Sequence, residues 1–256
     1  MKTTNPSILI IFIAFALLWI PFGQHVFLLD HWMKLGTFMA PMLMFFAFMF
    51  RDLNVPKLKD IKLLSAIMLI LYIIHQFEEH WVDVYGNIYA FQGFLNITLT
   101  GFVGATNAGA SIISKVDIFV INTSLVWLLG CLAIAQAPHH IFPSLCMAGI
   151  ILINAISHIV SSAANASYNP GVLTSLVLFV PFALWYYRSL LRRRVASKLH
   201  IACSLLWAVI AHIIMILGLL SSNYFNVIES INYHVILILY SISPNLLFSK
   251  QVKQER

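Results

Sequence analysis

LLSAIMLILYIIHQFEEH, residues 63–80, decides how this chain is read. Its first twelve residues are almost wholly apolar, and its last six bring together two histidines and two glutamates. A run of this kind reads as one crossing of a bilayer, which takes ~20 apolar residues. The polar hexapeptide then falls at the membrane edge, where charged side chains have no obvious reason to gather.

The rest of the chain supports a membrane reading. Of its 256 residues, 61% are hydrophobic and 9% are charged, against roughly 25% charged in a soluble domain. Apolar runs place helices near 7–29, 35–50, 61–81, 115–137, 141–163, 171–188, 199–220 and 225–247. The expected fold is an all-α, polytopic transmembrane bundle of eight spans, with seven as the alternative count. Residues 1–256 form a single transmembrane domain with no room for a sizeable soluble one. The N-terminal run has no small-x-small cleavage site and reads as a retained first helix.

The net charge of +6 raises nucleic acid as a partner, but the basic residues sit in short loops, as the positive-inside rule requires. Three clusters lie between spans two and three (Arg51, Lys57, Lys59, Lys62), between six and seven (Arg188, Arg192, Arg193, Arg194, Lys198), and at the tail (Lys250, Lys253, Arg256). Eight spans with both termini cytoplasmic put all three on the inner side. A bacterial inner membrane is the expected location, and nucleic acid is excluded. Cys131, Cys146 and Cys203 lack CxxC spacing and read as small packing residues.

Residues 82–114 are too polar for a span and too apolar for a solvated loop, and glycines at 86, 93, 101, 104 and 109 interrupt them. Irregular backbone at membrane depth is tolerated only against protein or a wet cavity. This stretch therefore reads as an interfacial or re-entrant segment on the outer side, serving as a lid or cavity wall.

This topology brings ionisable groups from several helices to one depth, and such groups are functional candidates by default. His75, Glu78 and Glu79 stand at i, i+3 and i+4 on one helical face, with Tyr72 at its edge and His80 turned away. Asn154 and His158 lie one turn apart on another helix. His212 and His234 either line the same site or bond across helices; His25, His31, His139, His140 and His200 read as interfacial or hydrogen-bonded contacts. Two histidines and two carboxylates suit zinc or iron with an open coordination position, and equally suit metal-free acid–base work.

A family resemblance attaches to these residues. His75, Glu78 and Glu79 match the motif that names the HXXEE membrane-protein family, whose function is unknown. A second histidine (His158) and a Y-x-P-G element (Tyr168, Pro170, Gly171) follow in the same order. The similarity covers about residues 55–190 and implies roles for those seven residues alone. In the Y-N-P-G stretch itself, Pro170 and Gly171 make a tight turn. Tyr168 either anchors that turn at the interface or reaches the site and donates to a developing oxyanion.

The functional expectation is a membrane-embedded, metal-dependent enzyme. His75, Glu78, Glu79 and His158 are its ligands, Glu78, Glu79 and Tyr168 its catalytic groups, and Tyr72, Asn154, His212 and His234 its surroundings. Its partner is membrane lipid, and its substrate a lipid, lipidated peptide or other small apolar molecule. Hydrolase or transferase chemistry is favoured. A di-iron oxidase or hydroxylase, a metal-free intramembrane hydrolase, and a proton- or cation-coupled transporter are the alternatives.

Overall fold

A computed structural model describes residues 26–104, 111–137 and 139–248, together with 10, 11, 13–16 and 19. Among these the fold is helical, and the sole pairing of extended backbone is an isolated bridge between Val82 and Ile88. The helices are α1 (Val26–Met49), α2 (Ile61–His80), α3 (Ala90–Phe102), α4 (Lys115–Gln136), α5 (Phe142–Asn165), α6 (Val172–Arg192), α7 (Lys198–Tyr224) and α8 (Ser230–Ile242). Six of them (α1, α2, α4, α5, α6 and α7) are long and apolar enough to cross a membrane.

The helix starts follow from local chemistry. Asp60 caps α2 by accepting from the backbone N–H groups of Lys62 and Leu63 at 2.9 and 3.2 Å. Capping boxes open α4 (Ser114 with Asp117) and α7 (Ser197 with His200). Pro143 sits in the first turn of α5, where its missing N–H costs nothing. Short π-helical stretches interrupt α4 at Thr123–Leu128, α6 at Ser175–Phe179 and α7 at Leu220–Tyr224.

Two expected spans change. The run expected at 35–50 begins earlier, at Val26. Asp30, His31 and Lys34 look like a loop in sequence, yet the helix carries them. Asp30 pairs with Lys115 at 2.5 Å, His31 packs on Phe27, and Lys34 lies over the rings of Trp81 and Tyr89. The run expected at 225–247 contracts to α8, thirteen residues, or ~20 Å at 1.5 Å per residue, short of a ~30 Å hydrocarbon core. The first expected span, 7–29, lies mostly outside the described residues, as do Gly109, Lys250, Lys253 and Arg256 of the other readings. In the irregular segment at 82–114, the described residues form a turn at 82–89 and the short helix α3, and residues 105–110 lie outside the described residues.

α2 is enclosed by its neighbours along most of its length. Polar side chains stitch it to them. Ser65 pairs with Ser144 of α5 at 2.8 Å, and Ser144 pairs with Tyr186 of α6 at 2.5 Å. Gln76 donates to Asn122 of α4 at 2.8 Å and accepts from the Trp127 indole at 2.9 Å. Interhelical bonds of this sort average ~0.6 kcal/mol each in membranes, so their number matters more than any one of them.

A second polar cluster ties α4 to α7 and α8. Asp117 accepts from Ser114, from Asn223 at 2.8 Å, and pairs with His234 at 2.9 Å. His234 is therefore placed away from the residues expected around the site. Breaking a buried pair by removing one partner costs ~3–5 kcal/mol. Asp117→Ala is expected to lower the melting temperature in detergent markedly, whereas Ser230→Ala, at the rim of the cluster, should move it little; thermal unfolding followed by tryptophan fluorescence measures both.

Candidate metal centre

The C-terminal turns of α2, the C-terminal half of α5 and the turn from α5 into α6 meet at one end of the bundle. His75, Glu79 and His158 are buried there, with ligand-type atoms all within 4.8 Å of one another. Glu79 is the hub. Its Oε1 lies 2.8 Å from His158 Nε2, and its Oε2 lies 3.4 Å from the Nε2 atoms of both His75 and His80. The His75 and His158 rings meet edge to face at 4.9 Å, and Phe179 closes over His75 at 4.4 Å.

Hydrogen bonds behind the rings decide which nitrogens face inward. The Thr174 hydroxyl has one proton, and it donates it to Glu78 Oε2 at 2.5 Å. Thr174 Oγ1 must therefore accept from His75 Nδ1, 2.7 Å away. On the other side, Asn169 Oδ1 stands 3.0 Å from His158 Nδ1 while its amide nitrogen faces the His158 carbonyl. Nδ1 of His158 is then the donor as well. Both Nδ1 protons are accounted for; the Nε2 atom of His158 faces Glu79 at 2.8 Å, and that of His75 stands 3.4 Å from Glu79 and 2.9 Å from the Asn154 amide nitrogen, from which it accepts. Ligating histidines are oriented in this way by carboxylate or carbonyl partners behind them.

Glu78 and Glu79, adjacent in sequence, part company. A helical step of ~100° carries them to opposite sides of His75. Glu79 turns to α5, and Glu78 turns to the start of α6. There Glu78 accepts from Leu173 N at 3.2 Å, Thr174 N at 2.8 Å, Thr174 Oγ1 and the Tyr168 hydroxyl at 2.9 Å. An anion at a helix N-terminus meets unpaired N–H groups and the positive end of the dipole. Tyr168 also accepts from Val84 N at 3.3 Å, joining the 82–89 turn to this anchor. Burial pushes the Tyr168 phenol up, and the carboxylate it donates to pushes the same way, so the hydroxyl keeps its proton. Neither Glu78 nor Tyr168 stands in the His75–Glu79–His158 group.

The remaining candidates sort by place. Asn154 Nδ2 sits 2.9 Å from His75 Nε2, and Tyr72 meets the His75 ring edge-on at 5.6 Å. Both line a cavity of about 310 Å3 that Glu79 and His158 also border. His212 lines it too, with Nδ1 at 2.8 Å from the Ala208 carbonyl. His80 does not share the His75 face, yet it reaches Glu79 and holds Asn122 Nδ2 at 3.3 Å. Thr174, Asn169 and His80 were not among the expected site residues. The available signals were an Asn set before Pro170 and a lone Thr-Ser pair in the apolar start of α6.

Gly171 explains why the turn is built as it is. Its φ is +97°, and a Cβ placed there would come within 2.8 Å of both the His75 and His158 rings and 3.0 Å of Glu79 Cγ. Only a residue without a side chain lets the backbone lie against all three groups.

A helical arrangement with, among the described residues, six candidate membrane spans and a buried His/His/Glu cluster at one end is the class of protein these observations define. Residues 66–186 match the family model described as "Protein of unknown function with HXXEE motif", which bears out the resemblance carried by His75, Glu78 and Glu79. No curated protein and no solved structure matches the chain.

Gly171→Ala should destabilise the protein by ~1–3 kcal/mol through overpacking and backbone strain. Gly93→Ala, in α3 with no atom within 4 Å of the new methyl, should be neutral or stabilising by up to ~1 kcal/mol. Thermal unfolding of the two variants beside wild type tests the contrast.

Proposed function

We propose that this protein is an integral-membrane enzyme that uses one metal ion, held by His75, Glu79 and His158, to act on a lipid or other apolar substrate. The observation that carries this reading is the gathering of two imidazoles and one carboxylate, with ligand-type atoms within 4.8 Å of one another, on the edge of an apolar cavity. A histidine nitrogen that accepts and a carboxylate oxygen 2.8 Å away need a proton or a cation between them. Two histidines and a glutamate form the ligand set of several hydrolytic zinc enzymes, which keep one position open for water.

The cluster offers a single free carboxylate, since Glu78 is engaged at the start of α6. That supports a mononuclear site over a di-iron one. When bound, the metal would supply Lewis-acid polarisation and an activated water at neutral pH. The chain's own groups do the rest. Thr174 and Asn169 hold the ring orientations. His80 is placed to hold a water beside Glu79, and Asn154 stands on the cavity side of His75 to meet a substrate oxygen. The same donors also suit ferrous iron in oxygenases, so hydrolytic or transfer chemistry is the favoured reading and oxidation the second.

The proposed topology sets the six long helices across the membrane so that the basic connections between α1 and α2 and between α6 and α7 face inward. The site then lies towards the outer face of a bacterial inner membrane.

Elemental analysis of protein purified in mild detergent tests the metal. About one equivalent of zinc or iron is expected in wild type, and almost none in Glu79→Gln or His158→Ala. Loss of a partner behind a ligating histidine costs ~10–100-fold in affinity, so Asn169→Ala should bind the same metal more weakly. A wild-type protein that takes up neither metal on reconstitution overturns the reading.

A further inference from the structure

The cavity beside Glu79 and His158 is specific enough to name its occupant. α3 and α4 supply an apolar wall through Phe94, Leu99, Ile121 and Leu125. The facing edge carries Tyr72, Asn154, Ser157, Ser161 and the site itself. Glu79 is the one carboxylate among the lining residues, and no lysine or arginine lines the cavity among the described residues. Phosphate recognition depends on bidentate arginine, on lysine or on clustered backbone N–H groups, and none of these faces the space. A divalent cation held at the proposed site offsets Glu79 and one further charge, so a phosphomonoester dianion would still leave negative charge unpaired in an apolar cavity, whereas an alcohol or ester oxygen adds none. The polar groups that do face it are hydroxyls, amides and imidazoles, Tyr72, Asn154, Ser157, His158 and His212 among them. The Tyr72 hydroxyl has no hydrogen-bond partner among the described residues and borders the cavity.

Size narrows the choice further. About 310 Å3 is the lower end of the ~300–1,000 Å3 range of ligand sites, enough for one chain and not two. Lining residues run from Ile150 to Ser161 on α5 and from Ile118 to Val126 on α4, or ~16 and ~12 Å at ~1.5 Å per residue. An extended hydrocarbon advances ~1.25 Å per carbon for bonds of ~1.52 Å at near-tetrahedral angles. The space therefore takes about ten to twelve carbons.

We infer that the substrate is an uncharged, single-chain amphiphile of about ten to twelve carbons, such as an acyl ester or a fatty or isoprenoid alcohol, with its polar group at Glu79 and His158. Phospholipids and phosphorylated chains are excluded. This rests on the reading of that cluster as the reaction centre, but its test is separate from the test for metal.

Purified protein is photolabelled with a diazirine-bearing dodecyl alcohol, and the adducts are mapped by mass spectrometry. Adducts are expected on α3 and α4 at the cavity wall, suppressed by unlabelled dodecanol at a concentration at least tenfold below that required of dodecyl phosphate or a dioleoyl phospholipid. Leu125→Trp, which fills the cavity, should cut labelling at least tenfold while metal content stays at the wild-type level. Phe94→Ala, which lengthens it, should shift the preferred competitor towards hexadecanol, and it decides the matter if the tryptophan variant does not fold. Equal competition by dodecyl phosphate, or unchanged labelling in folded Leu125→Trp, overturns the inference. Labelling that persists in a wild type found by elemental analysis to take up no metal leaves the substrate class standing while the metal reading falls.

Discussion

Glu78 accepts four hydrogen bonds from the start of α6 and the turn before it. A buried carboxylate in apolar surroundings is tolerable only when its oxygens are satisfied, and unpaired N–H groups at a buried helix end carry the same requirement. Each removes the other's cost. The result fixes α6 to α2 at one rotation and one height. Thr174 can then face His75, Gly171 can lie over the two rings, and Asn169 can reach behind His158. Without that dock the cluster would lose the groups that orient it, even with all three of its own side chains intact.

The spacing of the motif becomes intelligible on these terms. Histidine and the second glutamate stand at i and i+4, the separation that lets two side chains on one helix meet. The glutamate between them, at i+3, leans the other way and holds the scaffold. Two adjacent residues of identical chemistry thus take unlike duties because the helical step sends them to different neighbours. Tyr168 completes the division by donating to the scaffold carboxylate and accepting from the 82–89 turn, so that turn, α2 and α6 share one anchor.

Hydropathy alone locates most of the helices, because an apolar run of about twenty residues leaves little choice. It misplaces the start of α1, since Asp30, His31 and Lys34 resemble a loop until Lys115, Phe27 and the rings of Trp81 and Tyr89 are seen to accommodate them. Helical periodicity finds His75 with Glu79 and Asn154 with His158, as these are one-helix relations. It could not separate Glu78 from Glu79, nor assign His234 to Asp117, because those outcomes depend on which helix packs opposite. Thr174 and Asn169 are legible only as polar residues near a turn. Their meaning lies in a ring nitrogen on another segment.

Gly171 carries a consequence for the order of assembly. The cluster draws its donors from α2 and α5, but the peptide that closes over them belongs to the turn into α6, and no side chain could occupy that place. Until α6 has packed, His75 and His158 lack their partners in Thr174 and Asn169. During membrane insertion, therefore, the first five helices can be in place while the pocket is still unset. A cation arriving then finds loose, poorly oriented donors; one arriving afterwards finds a closed seat. On the proposed reading, the seat for a cation is therefore complete only after α6 has been laid down, because the one residue that closes it has no side chain.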